Sequence, residues 1–539
     1  MSSRFIVALA LSIAVLPGSL AAQEVSAKAA RSVPLFNDLG NLHHPISTKV
    51  ADAQKYFDQG IRLVFAFNHG EAIRAFTEAA RLDPRCAICY WGIAFAHGPH
   101  VNAGMDSAAG VAAYAAVGKA RELASAASEQ ERAYIEALTA RYASPPPANR
   151  AHLDSAFSAA MGKLAQKYPN DLDAQTLYAE SKMDLRPWNY WQPNGEPYPG
   201  TQEIVEVLER VIARDPNHPG ACHYYIHAVE AVAPAKAIPC AERLAQLMPG
   251  AGHLVHMPAH IYIRVGRYND AIESNVHAVH ADESYIATEG PTGVYPIGYY
   301  PHNYHFLAFA QMMAGRSADA IATARTLVSK VPVEIARQVP LVADMIAHEH
   351  VVLAKFGRWQ ELLALPAPPA DVPSAFVLGQ YTRGVALAAT GKHAEAAAAL
   401  ANVERAAAAA PPEMRTVLDI ATHALTGELA ARKGDTQSAI THLRAAQQLE
   451  DGMLYFEPPL WPLPIRPTLA AVLLRAGKAA EAEQAYREDL KRFPENGWSL
   501  FGLEASLRAQ GKNAEADAAR EQFRQAWAKA DVQLTASAF

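Results

Sequence analysis

The sequence predicts an all-α fold, an α-solenoid of helical hairpins. Three observations predict it. Short turn strings recur along the chain: FNHGEA, VGRYND, MAGRSADA, ATGKHAEA, RKGDTQSA, RAGKAAEA and AQGKNAEA. Each holds a turn residue, often Gly, and then opens a helix with Ala. Each follows roughly 12–15 residues with apolar positions at helical spacing. The chain has 539 residues, too many for one core, so the repeats build an elongated array or several domains.

The elements follow in order. Residues 1–22, MSSRFIVALALSIAVLPGSLAA, read as a signal peptide. Arg4 supplies the positive start, an apolar run of roughly 15 residues follows, and small residues near Ser19 suit a signal peptidase. The expectation is a secreted protein, periplasmic if the source is a Gram-negative bacterium, with no membrane span after cleavage. Residues 23–50 form an N-terminal strap that carries His43 and His44. Hairpins begin at 51. Two blocks are expected: 51–335, rich in histidine, and 336–539, with few histidines and more regular repeats. The aromatic segment RPWNYWQPNGEPYPG (186–200) is a larger loop that packs on the solenoid edge or acts as a lid. The breaks at 364–372, 408–412 and 457–467 are proline-rich inter-helix loops.

The hairpins resemble the tetratricopeptide repeat (TPR) family. In the unit from 53 the matching residues are Tyr56, Gly60, Leu63, Ala72, Phe76, Ala79 and Pro84, in order. Tyr304, Ala308, Ala320, Ala324 and Pro332 fit a second unit, and Ala470, Leu473, Ala482, Tyr486 and Pro494 a third. Trp498, Gly502, Ala505 and Ala514 fit a fourth. The resemblance covers most of 51–530 and implies hairpins stacked into a right-handed superhelix. Small residues fall where two helices of a hairpin approach closely, and each hairpin needs neighbours to bury its apolar stripe.

The resemblance implies that the first helix of each hairpin lines a concave groove, with its second, fifth, sixth and ninth positions toward the ligand. On that frame Glu180 stands at the ninth position of the unit near 172, with Asp184 one turn on. His223 and His227 take the sixth and tenth positions near 218, and His256 and His260 the fifth and ninth near 252. His302 and His305 take the second and fifth near 301. Three consecutive first helices thus carry a His pair spaced three or four apart, which places both rings on one helix face. Stacked helices lie about 10 Å apart, close enough for the rings to converge.

Neutral imidazole is a common ligand for Zn, Cu and Fe. The expected metal ligands are therefore His223, His227, His256, His260, His302, His305 and Glu180, holding one or two ions of Zn, Cu, Fe or Mn. The competing reading is a polar, aromatic pocket for an anionic or sugar-like ligand, with Tyr224, Tyr225, Tyr262, Tyr299, Tyr300 and Tyr304 nearby. The string HGPHVNAGMD adds His97, His100, Asn102 and Asp106 as candidates, and His277 and His280 are expected on the surface.

Four cysteines remain. Cys222 and Cys240, counted outward from the turn near Pro234, should sit opposite one another, and a Cys222–Cys240 disulfide is expected. Cys86 and Cys89 form a local disulfide or stay as thiols; no haem-attachment motif follows them.

A net charge of -6 without a basic run excludes a nucleic-acid footprint. There is no GxSxG and no phosphate-cradling Gly-rich loop, so no reaction is named. Three functions remain: a scaffold for a protein or peptide partner, a metal-binding protein, and a metalloenzyme for metal-assisted hydrolysis or oxidation, with Glu180, Asp184 or Tyr304 as acid or base.

Overall fold

A computed structural model describes residues 33–538. The expected signal peptide lies outside the described residues. Among them the fold is all-α. The extended pairings are two isolated bridges, His100 with Ala103 and Trp191 with Pro197. No described helix is long and apolar enough to cross a membrane.

The hairpins have TPR-like geometry, and the small residues explain it. A Cβ on Gly60 would stand 2.4 Å from the Phe76 ring, and one on Gly92 2.5 Å from the same ring. Phe76 is fully buried, its ring 5.2 Å from that of Phe57. Helices Ala51–Phe65, His69–Leu82 and Ala87–Ala96 therefore close around one aromatic ring. Gly502 repeats the device, with a Cβ position 2.1 Å from Tyr486.

The turns are equally regular. Gly266, Gly315, Gly357, Gly391, Gly434, Gly477 and Gly511 all adopt a left-handed φ between helices, a conformation that costs a side-chain-bearing residue about 1–2 kcal/mol. The first hairpin breaks this rule. At the corresponding place it puts Phe67, with φ 55.

The chain divides into two compact units. One comprises the described part of Ala10–Ile261 together with His277–Tyr300; the other contains Tyr262–Val276 and Pro301–Phe539. In the first unit, residues 33–50 are an irregular segment fastened by polar bonds. The amide of Phe36 donates to Gln59 (2.8 Å), Arg62 donates to the Leu42 carbonyl (2.7 Å), and Ser47 donates its amide to Glu131 (2.6 Å). His44 Nδ1 donates to Asp173 at 2.6 Å. In the second unit the hairpins run in series, for example Pro373–Ala389 with His393–Ala409 and Pro412–Arg432 with Thr436–Asp451. Their ion pairs are mostly exposed.

Candidate metal centre

The centre of the first unit is the helix Pro219–Val229, every residue of which is buried. It begins with Pro219 at its first position, and the His218 ring caps it by accepting from the Ala221 amide at 3.1 Å. Gly220 lets it cross Phe65 closely, since a Cβ there would stand 2.4 Å from that ring. That approach sets His223 beneath the end of helix Ala51–Phe65. The last carbonyls of a helix have no helical partner. The Phe65 carbonyl, one of these, accepts from His223 Nδ1 at 2.7 Å.

His227 lies one turn further on the same face. Its Nδ1 is 3.1 Å from Oε1 of Glu230, while Oε2 of the same carboxylate is 2.6 Å from Nδ1 of His260. Burial acts to raise the Glu230 carboxyl, but the charge of His260 and the hydrogen bonds from both rings hold it down at about 2. It is therefore an anion that can only accept, and the two Nδ1 atoms must carry hydrogen. With Nδ1 the donor in His223 and His227, whose rings burial keeps neutral, the other nitrogen of each presents a lone pair.

Those nitrogens face one another. His223 Nε2 is 3.2 Å from His227 Nε2 and 3.1 Å from His253 Nε2. His260 Nε2 is 2.9 Å from His256 Nε2. In the His223–His227 pair neither facing nitrogen has a hydrogen to donate. Two lone pairs at that distance repel unless something positive lies between them. Zn–N bonds of about 2.0–2.1 Å in a tetrahedral shell put neighbouring nitrogens roughly 3.3 Å apart, close to what is found. Ligand atoms of His223, His227 and His253 all lie within 4.8 Å of one another, as do those of His227, Glu230 and His260. His253 Nδ1 is buried with no hydrogen-bond partner. Burial drives His223 and His253 well below the ordinary histidine range and lowers His227, against which Glu230 acts in the opposite sense. Neutral imidazole is the form that ligates a metal.

Aromatic rings wrap the cluster. Phe67 stacks on His100 (4.4 Å), His227 (6.1 Å) and His253 (5.5 Å), and lies 4.5 Å from His223. His69 stands 4.4 Å from His100, and burial pushes its ring down to about 3. From the loop at 186–200, Trp188 sets its ring edge-on to His227 at 5.0 Å and donates to Asn102 at 3.0 Å. Trp188 also has a left-handed φ, 62. Trp191 donates to the Ala228 carbonyl at 2.8 Å, docking this loop on the His227 helix. Tyr299, in the π-helical turn Tyr295–Tyr299, lies 4.6 Å from His253. Strained conformations and π-helical turns both concentrate at functional sites.

The expected site residues fall into three groups. His223, His227, His256 and His260 come together as the spacing suggested. Glu180 takes a different place. It sits with Asp184, whose carboxylate accepts from the fully buried Arg141 at 2.5 Å. Burial and the neighbouring Asp184 push Glu180 well up, and burial raises Asp184 to about 7. No clustered set of ligand atoms among the described residues includes Glu180. His302 and His305 lie in the second unit, where His302 sits edge-on to Phe306 (5.1 Å) and His305 to His348 (4.6 Å).

The expected Cys222–Cys240 disulfide is not formed. Both residues are buried thiols. The helices bring the sulfurs to hydrogen-bond range, as counting from the turn implied, but Cys222 donates to the Pro216 carbonyl at 3.6 Å. The disulfide is Cys86–Cys89. Asp106 caps helix Ser107–Leu123 by accepting from Ala109, which occupies the carboxylate considered as a ligand. His277 and His280 are exposed, as expected.

Sequence reading missed Glu230, His253 and Phe67. Glu230 was signalled by its position three residues after His227. Phe67 was signalled by standing where the other turns have glycine.

No protein-family model and no curated protein matches the chain. Among solved structures, the human IFIT1 dimer with m7Gppp-AAAA is similar at 14% identity and a TM-score of 0.35, over 89% of this chain and 91% of that one. The Cut9–Hcn1 hetero-tetramer of the APC/C is similar at 12% identity and a TM-score of 0.32, over 84% and 76%. Likeness of this degree carries no argument about the site.

Proposed function

We propose that this chain is an exported helical-repeat protein that binds a transition-metal ion between His223, His227 and His253. The observation that carries the reading is the 3.2 Å approach of two Nε2 atoms whose rings both have their hydrogen fixed on Nδ1 by acceptors outside the cluster. An all-imidazole set suits Zn or Cu and disfavours the harder Mn. Acceptors behind the ligating rings fix their orientation and basicity, as outer-shell partners of metal-bound histidines do. His223, His253 and His256 are each 2% exposed or less, and Phe67 and Trp188 pack over the rings. Such enclosure favours a site that holds its ion over one that turns substrate over rapidly. The apolar run of residues 1–22 and the Cys86–Cys89 disulfide support export to an oxidising compartment. The repeat surface would then serve a protein or peptide partner.

A second reading, a metalloenzyme, has one observation in its favour. The buried Tyr299 ring lies 4.6 Å from that of His253, and burial pushes its hydroxyl up, so it keeps its proton and could donate it to a bound substrate.

The test is metal content. The mature protein, purified from the exported fraction without a His tag, is expected to carry about one or two equivalents of Zn or Cu. His223→Ala, which leaves Glu230 untouched, should lose the ion held with His227 and His253. A wild type that contains no metal and takes up neither Zn(II) nor Cu(II) would sink the proposal.

A further inference from the structure

We propose that the second unit has a ligand site of its own, a cavity in which the Lys355 ammonium receives the carboxylate of a short-chain monocarboxylic acid. The site is independent of the metal reading. It lies among helices His348–Lys355, Pro373–Ala389, Pro412–Arg432 and Ile465–Arg475.

Lys355 is the last residue of its helix, and its ammonium lies 4.2 Å over the centre of the Trp498 ring. Among the described residues no hydrogen bond or ion pair engages it. A ring face attracts a cation but accepts none of its hydrogens in the way an oxygen does. The charge that acts on Lys355 is Asp489, and that carboxylate already accepts from Ser499 at 2.6 Å and from Asn496 at 2.9 Å. Burial pulls the ammonium down to about 8, so it keeps its charge at neutral pH. An enclosed cation without a hydrogen-bonded anion is costly, and an anion that reaches it recovers a charge-assisted hydrogen bond.

The rest of the wall sets the class of anion. Trp359, Tyr381, Val385, Leu463 and Pro464 give it apolar faces. Tyr381 is held edge-on to the buried Trp461 at 5.0 Å. Ser537 closes one side, bonded to the Tyr486 hydroxyl at 2.5 Å and donating to the Pro467 carbonyl at 3.3 Å. The volume is about 50 Å³, room for a few heavy atoms. It adjoins a larger hollow of about 500 Å³, with which it shares Glu428 and Thr468. Glu428 faces Arg432 at 4.0 Å, and burial pushes its carboxyl up. The cavity thus offers one free positive charge together with an acidic group that opposes a second negative one. A carboxylate with a short apolar chain meets both conditions, and a phosphate dianion does not.

The experiment titrates the full chain with propionate, propionamide and inorganic phosphate, by calorimetry and by tryptophan fluorescence. Wild type should bind propionate saturably, propionamide about tenfold or more weakly, and phosphate more weakly than propionate. Lys355→Met should lose about tenfold or more in propionate affinity, with its circular dichroism unchanged. No saturable propionate binding by wild type would overturn the proposal. Phosphate binding as tight as propionate would overturn the monoanion class. Equal binding of the amide, or of propionate by the folded variant, would overturn the role of Lys355. Should Lys355→Met fail to fold, reductive methylation of wild type with formaldehyde and cyanoborohydride decides, mapped by mass spectrometry. Propionate should slow labelling of Lys355 and leave the exposed Lys433 unchanged. Labelling of Lys355 that propionate does not alter, or no labelling of Lys355 at all, would overturn the site.

Discussion

The two units each contain a pair of histidines in ring-to-ring contact, and they differ in what stands behind the rings. In the second unit His423 and His442 meet through their Nδ1 atoms at 3.0 Å, both half-buried, on adjacent helices of one hairpin. One ring donates and the other accepts, which satisfies both facing nitrogens. In the first unit His223 and His227 are in similar contact, but the Phe65 carbonyl and Glu230 hold their hydrogens on the far side. The same two side chains form a satisfied hydrogen bond in one unit and an unsatisfied pair of lone pairs in the other. On the proposed reading, the acceptors that fix its tautomers, more than the number of its rings, make a histidine cluster a metal site.

That contrast also marks what could be read from the sequence. The hairpins were legible because their physics is local: a Gly that must take a left-handed φ, and small residues such as Gly60 and Gly502 under Phe76 and Tyr486. Rings four apart on a helix were legible for the same reason, which is why His223, His227, His256 and His260 were found. Glu230 reaches His260 across 30 residues, and the Phe65 carbonyl reaches His223 across 158. Periodicity contains nothing about such contacts. Glu180 was misplaced because a groove position fixes a direction and not a partner, and the buried Arg141 guanidinium lies within range of it and Asp184.

The largest way to sharpen the contrast is Arg141, the buried cation of the first unit. Its side chain is fully buried, donates to Asp184 and to the Pro99 carbonyl, and lies 4.5 Å over the Phe157 ring. Arg141→Met leaves the Glu180–Asp184 pair without its counter-charge. Breaking a buried pair in this way costs about 3–5 kcal/mol at neutral pH. The cost should fall below pH 7, because Asp184, already raised to about 7, takes up a proton and neutral carboxyls tolerate burial. Urea unfolding at pH 5 and 7.5 measures both. Equal losses at the two pH values would contradict the raised Asp184 carboxyl.

A smaller effect is expected where residues 33–50 are fastened to the first unit. Burial acts to lower His44, but the hydrogen bond and charge of Asp173 more than compensate, and its pKa ends raised. Asp173, which burial alone would raise, is lowered by its hydrogen bonds to His218 and His44. A raised histidine stabilises fully below its unfolded value of about 6.5, and loses that contribution as pH climbs through the folded value. A lowered aspartate stabilises above about 3.9 and loses its contribution as pH falls through the folded value. The His44→Ala deficit should thus be greatest between about pH 4 and 6.5, on the order of 1.5–3 kcal/mol for a charged hydrogen bond, and should shrink toward pH 9. Denaturant midpoints across that range measure it; a deficit that grows with pH would reverse the assignment of charge to His44.

The smallest expected effect bears most directly on the comparison. His423→Ala with His442→Ala removes a ring pair as close as His223–His227, from half-buried positions with no far-side acceptor among the described residues. Both partners of a neutral hydrogen bond leave together, so no buried group is stranded, and stability should change by about 0.5 kcal/mol or less. Bound metal should not change at all. Elemental analysis alongside His223→Ala makes the outcome discriminating. If the double variant loses an equivalent of ion, proximity of two imidazoles is enough to bind metal in this fold. If only His223→Ala loses it, the Phe65 carbonyl and Glu230 are what separate a metal ligand from an ordinary histidine.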